Sequence, residues 1–449
     1  MRNCVRAVLV IALSAMILFS GCAAKQQDQN NAAAVPEEIQ RLALSFADDF
    51  IGGNLDEAVG LFDTRMNEAV PLEDLKKLQE QIAETYGEFL SRSVYRSEQV
   101  DGYNRVEVKT DYQKGSVLLL IVFSSEKLVS GFYVQPFNDE SANPVALPEG
   151  VTEQEMAVNS GSYALAAKLT LPQTGEKLPA VVLVHGSGPL DMDSTVGANK
   201  PFRDIAYALA QKGIAVLRYD KRTYTYAGDL DADAITVNEE SVQDAVAAFK
   251  LLASCDRIDP NRVFVLGHSL GGMLIPMIAE QTPDAAGYVM MAAPARKLQD
   301  LILEQYEYIL SLDPGEDAEQ TLDKIREQVQ AVNTLDANSD LTPDQLLGIP
   351  RNYWLNLNAY DPIKALQAVA SPVLILQGER DYQVTMTDFN LFKDALQARA
   401  DVKFISYPKL NHLFMAGEGE KSTPEEYYTP SSVDSVPLND IAQWIEGVR

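Results

Sequence analysis

Six short, continuously apolar runs constrain the fold more than anything else in this chain. They are AVVLVHG (180–186), IAVLRYD (214–220), VFVLGHS (263–269), YVMMAAP (288–294), PVLILQG (372–378) and VKFISYP (402–408). Such runs are strand-length and lack the alternation of a half-exposed strand, so both faces are buried. Segments of helical length separate them, which is the spacing of parallel strands joined by crossover helices. VTEQEMAVN (151–159) and SYALAAKLTLP (162–172) precede them and read as an antiparallel pair. The expected architecture is a mostly parallel α/β sheet covered on both faces. In an open sheet of this kind, ligands bind beyond the carboxyl ends of the strands. Thr236 and Glu239 form a capping box ahead of one crossover helix.

At the carboxyl end of the third run, Gly267-His268-Ser269-Leu270-Gly271 fits G-x-S-x-G between a strand and a helix. Glycines there permit a turn too tight for Cβ atoms, and the turn lifts the serine hydroxyl clear of the sheet edge. Ser269 is the candidate nucleophile, and the Leu270 N–H is the candidate first oxyanion donor. A serine needs an imidazole base and a carboxylate to orient it. The chain has three histidines: His185, His268 and His412. His268 adjoins the nucleophile and should point away from its hydroxyl. His185 follows an earlier strand in VLVHGSGP. His412 lies past the last strand and is the candidate base. The carboxylate should fall between serine and histidine in chain order, where GERDY offers Glu379 and Asp381. Asp381 sits deeper in its loop and is preferred, with Glu379 as the alternative. In HGSGP, Ser187 is the candidate second oxyanion donor, Gly186 shapes the turn, and Pro189 has no N–H to offer.

Together these motifs, with NKPFRDIA, YDP and LNHLFMAGEG, resemble the α/β-hydrolase superfamily over residues 151–449. The nearest branch is the secreted dienelactone-hydrolase-like and acyl-esterase-like proteins. The resemblance implies an eight-stranded core and a serine-hydrolase mechanism acting on carboxylic esters. Dienelactone hydrolases proper carry cysteine where Ser269 stands, so their substrate does not transfer. Peptidase, thioesterase or acyltransferase chemistry on the same triad is the first alternative, and a non-catalytic binding protein the second. Residues 295–371 are a long insertion with amphipathic segments, and the resemblance makes it a cap over the site. Tyr224, Tyr226, Tyr353 and Trp354 are expected, as a group, to line an acyl pocket. Lys221 and Arg222 either meet an anionic substrate group or pair with the many acids. No cluster has metal-ligand spacing, so neither metal nor cofactor is expected.

The N-terminus reads as a targeting segment. MRNCVRAVLVIALSAMILFSGCAA combines Arg2 and Arg6, an apolar run, small residues and Cys22, the pattern of a secretory signal. The run is short for a membrane span. LFSGC resembles a bacterial lipobox, which implies cleavage, lipidation at Cys22 and an extracytoplasmic, membrane-anchored protein. A secreted, unanchored protein is the alternative. Residues 23–35 read as a polar tether. Residues 36–138 then show helical periodicity at Ile39, Leu42, Ala43, Phe46 and Phe50, a further helix in LEDLKKLQEQIAETYG, and four strand-like runs. This small α+β unit resembles NTF2/SnoaL-like domains and implies a spacer, dimerisation or binding module. A turn-rich linker, 139–150, joins it to the large domain. Against 64 acidic residues stand 37 Lys and Arg, a net charge of −27, which excludes a nucleic-acid footprint and electrostatic adhesion to anionic lipid. Three cysteines cannot build a disulfide framework. The expected partners are a small ester substrate and a membrane reached through the lipid at Cys22.

Overall fold

The computed structural model describes residues 35–100, 103–137, 146–226, 230–231, 234–312, 314–315 and 318–448. The signal segment, Cys22, most of the tether and residues 139–145 of the linker lie outside them. The described chain divides into two compact units, the second beginning at Ala146.

In the first unit the apolar stripe of residues 39–50 folds as the helix Glu37–Gly52, which buries Ile39, Ala43, Phe46, Ala47 and Phe50. Gly53 ends it at φ 78°, a left-handed conformation that suits glycine. The helix Leu72–Tyr86 follows, then strands β1 (Phe89–Val100), β2 (Tyr103–Tyr112), β3 (Gly115–Phe123) and β4 (Val129–Phe137). They pair antiparallel in the order β1-β2-β3-β4. Phe132 meets Phe46 and Phe50 edge-on, at 4.9 and 5.1 Å between ring centres. Val35, placed in the tether by its sequence, is buried in this core, so the folded unit starts at or before it.

The second unit holds an eight-stranded sheet. Its strands are β5 (Val151–Ser160), β6 (Tyr163–Pro172), β7 (Leu178–Val184), β8 (Ala215–Tyr219), β9 (Ile258–His268), β10 (Gly287–Met291), β11 (Val373–Gly378) and β12 (Val402–Tyr407). Their order is β12-β11-β10-β9-β7-β8-β6-β5. β5 and β6 are antiparallel, and the six continuously apolar strands are mutually parallel. Alternate residues serve two cores. Val182, Val184, Val263, Val265, Val373 and Ile375 face one cluster with the helix Gln243–Ala253. Val181, Leu183, Phe264, Leu266, Leu374 and Leu376 face another with the helices Pro201–Ala210 and Ser435–Gly447. Period-two geometry sends neighbours to opposite faces, so a sheet covered twice needs unbroken apolar strands.

The capping box forms in part. Glu239 accepts from the Thr236 N–H at 3.0 Å, but the Thr236 hydroxyl takes the Asn238 N–H, and the helix opens with a π turn at Asn238–Val242. Between β10 and β11 the chain makes the helices Leu298–Leu312, Ala318–Asn333, Arg351–Asn358 and Pro362–Gln367. Among the described residues no helix is long and apolar enough to cross a membrane.

Candidate active site

The sheet order reverses at β7, whose neighbours are β8 on one side and β9 on the other. The segments leaving β7 and β9 therefore diverge over a crevice, where open α/β sheets bind ligands. Register places Val184 opposite Gly267, so His185 and Gly186 emerge beside His268 and Ser269.

Ser269 has φ 54° and ψ −123°, a sparsely populated conformation for a residue with a Cβ. Packing on both sides imposes it. A Cβ at Gly267 would fall on the Gly271 carbonyl, and one at Gly271 would fall on the carbonyls of Val184 and His185. The strand-to-helix turn thus closes back on itself and onto the end of β7, and only glycine fits those two places. The Ser269 N–H donates to the Met291 carbonyl at 2.9 Å, fastening the turn to β10. Gly186 packs against it: a Cβ there would lie 3.0 Å from Ser269 Cβ and 3.6 Å from its Oγ.

Asp381 and His412 come from the loops after β11 and β12. These strands pair through Gly378 and Tyr407. His412 Nδ1 lies 2.7 Å from Asp381 Oδ2. Asp381 is 1% exposed. Its Oδ1 accepts from the Gln383 and Val384 N–H groups at 2.7 and 3.0 Å, and its Oδ2 also accepts from Gln377 Nε2 at 3.1 Å. With three N–H donors already directed at it, this carboxylate is placed to accept from His412 Nδ1, the arrangement that fixes a histidine tautomer through its second nitrogen. Glu379 is turned to the surface, where it accepts from the Ser406 hydroxyl at 2.7 Å. The geometry pairs His412 with Asp381, not with Glu379.

His268 is drawn into the same cluster. Its ring centre lies 4.7 Å from that of His412, and its Nε2 donates to the His412 carbonyl at 2.8 Å. Burial, with the adjacent His412, pushes its pKa down to about 3, so it stays neutral and braces the loop. His185 Nε2 lies 2.9 Å from the Asp191 carbonyl, and its ring packs on Phe202 and Tyr219. Burial and the nearby Lys221 charge push it down to about 3. The Tyr427 hydroxyl oxygen accepts the His412 backbone N–H at 3.2 Å. Among the described residues, neither the Ser187 nor the Leu270 N–H has a backbone acceptor.

The acids of GPLDMD shape their own loop. Asp191 accepts from Thr195 N and Oγ1 at 2.8 and 2.7 Å, Asp193 pairs with Arg218 and Lys200, and Asp220 accepts the Met192 N–H at 2.8 Å. Among the described residues no group of three His, Cys, Asp or Glu side chains is arranged to hold a metal. Lys221 and Arg222 are paired, with Glu240 and Asp244.

The insertion reaches the loops that carry Asp381 and His412. Gln305 Nε2 donates to the Gln383 carbonyl at 2.9 Å, and the Tyr308 hydroxyl to the Ser422 carbonyl at 2.9 Å. Three of the four aromatics expected at an acyl pocket make other contacts. Trp354 is wholly buried, with Nε1 donating to the Leu346 carbonyl at 2.7 Å, and the Tyr353 hydroxyl is spent on Glu240. Tyr226 bonds the Ala164 carbonyl and stacks near Tyr163. These aromatics anchor the insertion and the β5–β6 hairpin instead. Sequence reasoning also missed Gln377 and Tyr427, which carry no local motif and acquire their places only through the fold.

A strained serine turn between strand and helix at the switch point of a two-layer-covered parallel sheet, with a His–Asp pair past the last strands, defines a class, and residues 181–428 match the family described as "Alpha/beta hydrolase family". The chain belongs to that family. Over 406 residues it is 36% identical to Esterase EstD of Thermotoga maritima, spanning 90% of this chain and 94% of that protein. It is 25% identical over 255 residues to the Acylamino-acid-releasing enzyme of Rattus norvegicus, 56% of this chain and 31% of that one. Among solved structures it is similar to ferulic-acid-bound Est1E of Butyrivibrio proteoclasticus, at 15% identity and a TM-score of 0.43, over 65% of this chain and 98% of that chain. Residues 43–132 match a family described as "Protein of unknown function (DUF3887)".

Proposed function

We propose that the protein is a serine hydrolase that cleaves carboxylic esters through an acyl-enzyme. The observation that carries this is the strained Ser269 turn together with the buried His412–Asp381 pair, linked through His268, whose ring centre lies 4.7 Å from that of His412. Ser269 Oγ attacks the acyl carbon while His412 Nε2 takes its proton. The oxyanion is held by the Leu270 and Ser187 N–H groups, with Gly186 leaving room for it. Collapse expels the alcohol, which receives the proton from His412. Water, deprotonated by the same nitrogen, then hydrolyses the acyl-enzyme and restores Ser269. Asp381 orients the ring and stabilises the imidazolium without itself taking a proton. The similarity to an esterase over nearly its whole length supports esters over amides.

From the secretory-signal pattern and LFSGC at the N-terminus we further propose an extracytoplasmic protein anchored through a lipid on Cys22, with the small N-terminal unit as a spacer or binding module. Cys22→Ala is expected to move the protein from the membrane fraction to the soluble fraction. The chemistry is tested on the full, detergent-solubilised chain with p-nitrophenyl esters of rising acyl length and the matching p-nitroanilides. Ester hydrolysis that disappears in Ser269→Ala is the expected result. Faster turnover of the anilides would make it a peptidase, and no turnover of either would favour a binding protein built on a hydrolase scaffold.

A further inference from the structure

Lys221 is buried beneath the loop that follows β7. It is 1% exposed, and a lysine is almost never found so deep unless its charge is satisfied. Here all three ammonium protons have acceptors: the Gly186 carbonyl at 2.8 Å, the Gly188 carbonyl at 3.0 Å, and Glu240 Oε1 at 3.0 Å. Glu240 is itself buried. It accepts from the Thr223 hydroxyl at 3.3 Å and, through Oε2, from the Tyr353 hydroxyl at 2.5 Å. Tyr353 belongs to the insertion helix Arg351–Asn358. Two buried charges, a hydroxyl from the insertion and two loop carbonyls thus form one closed set. The catalytic steps above use none of the three side chains.

The two carbonyls give the set its meaning. In a planar trans peptide the C=O and the following N–H point in opposite directions. Fixing the Gly186 carbonyl on Lys221 therefore fixes the Ser187 N–H on the far side of the same plane. Gly186 packs directly on Ser269, so this peptide group adjoins the residue that sits against the nucleophile. The Gly188 carbonyl shares its peptide with Pro189, which has no N–H; that bond has no donor to aim and pins the second corner of the loop, where Gly188 takes φ 88°. A carbonyl released from Lys221 could turn its whole peptide, and the Ser187 N–H would swing with it.

We propose that Lys221 is a positioning residue of the oxyanion hole: held by Glu240, it fixes the Gly186 peptide so that the Ser187 N–H meets the acyl oxygen, and Tyr353 ties this clamp to the insertion. The proposal rests on the serine-esterase reading above. It makes the insertion a support for the catalytic geometry, because loosening Tyr353 loosens Glu240, then Lys221, then the loop.

The test compares the full-length wild type with Lys221→Met, Lys221→Met/Glu240→Gln and Tyr353→Phe. Each is assayed for p-nitrophenyl ester turnover and for affinity toward an alkyl trifluoromethyl ketone, whose tetrahedral adduct places an oxyanion in the hole. Lys221→Met is expected to lower kcat about 100-fold, the scale of one lost oxyanion donor. KM should stay within about threefold, because the interaction is made only as charge develops. The ketone should weaken by the same factor as kcat. Tyr353→Phe is expected to lower both about three- to tenfold, as a distal member of one network. Folded variants with unchanged kcat, or with lowered kcat but unchanged ketone affinity, would overturn the proposal. If the lysine variants do not fold, Tyr353→Phe decides by the same two readouts. A wild type that neither hydrolyses esters nor binds the ketone would instead overturn the esterase reading, so the two failures are distinguishable.

Discussion

Ser269 occupies a backbone conformation that costs about 1–3 kcal/mol and persists only where the surroundings over-determine it. Gly267 and Gly271 supply that determination, because the turn passes within contact of backbone on both sides. Gly271→Ala would push a methyl group into two carbonyls of the β7 end and is expected to cost at least about 3 kcal/mol of stability. A thermal melt within a degree or two of wild type would show that the turn has slack it does not display. Removal of the Ser269 hydroxyl or the His412 ring is expected to lower kcat about 10⁴- to 10⁶-fold. Asp381→Asn should cost about 10⁴-fold, since an amide cannot hold the Nδ1–H tautomer. His185→Ala, by contrast, removes a neutral buried ring that bonds the Asp191 carbonyl, so its effect should appear in stability before it appears in kcat. These positions were legible in the sequence because chemistry and conformation restrict them to few residue types. Lys221 was legible only as a charge following a buried strand. Its partners lie 35 residues back and 19 forward in the chain, and nothing local announces them.

At the scale of elements, the sheet was the most readable part of the molecule. Burial on both faces demands unbroken apolar strands, and the six runs quoted from the sequence are β7 to β12. The insertion was readable as helices but not as surfaces. Periodicity identifies an apolar stripe without saying what it faces, so Tyr353 and Trp354 could be taken for pocket walls when they are anchors. The root of the insertion has its own fastening. Asp388, on the helix Met386–Leu396, accepts the Ala295 and Arg296 N–H groups at 3.0 and 3.1 Å and pairs with the Arg296 guanidinium at 2.7 Å. Asp388→Ala strands two backbone donors and is expected to lower unfolding free energy by about 1–3 kcal/mol. A urea midpoint that does not move would mean the insertion is rooted elsewhere.

For the molecule as a whole, buried titrating groups set how stability changes with pH. His185 and His268 have folded pKa values near 3, below the unfolded value of about 6.5. Their contribution is present above about 6.5 and is lost as pH falls toward 3, because the unfolded chain binds those protons first. Asp220 runs the other way. Burial, partly offset by the Met192 N–H and reinforced by Asp191 and Asp193, raises it to about 6. Its contribution is present below the ordinary carboxylate pKa and is lost as pH rises through about 6. Asp220→Asn should therefore raise Tm at pH 8 relative to wild type, with the difference vanishing toward pH 4. An equal difference at both values would assign the effect to packing rather than ionisation.

One measurement bears most directly on the proposed chemistry. The full chain and its Ser269→Ala variant are incubated with a fluorophosphonate, and the adduct is located by intact mass and peptide mapping. A serine hydrolase should gain one phosphonyl group, on the peptide containing Ser269, with loss of ester turnover in proportion to labelling. The variant should gain none. A folded wild type that stays unlabelled, or one labelled at another residue while its ester turnover persists, would contradict the assignment of Ser269 as the nucleophile.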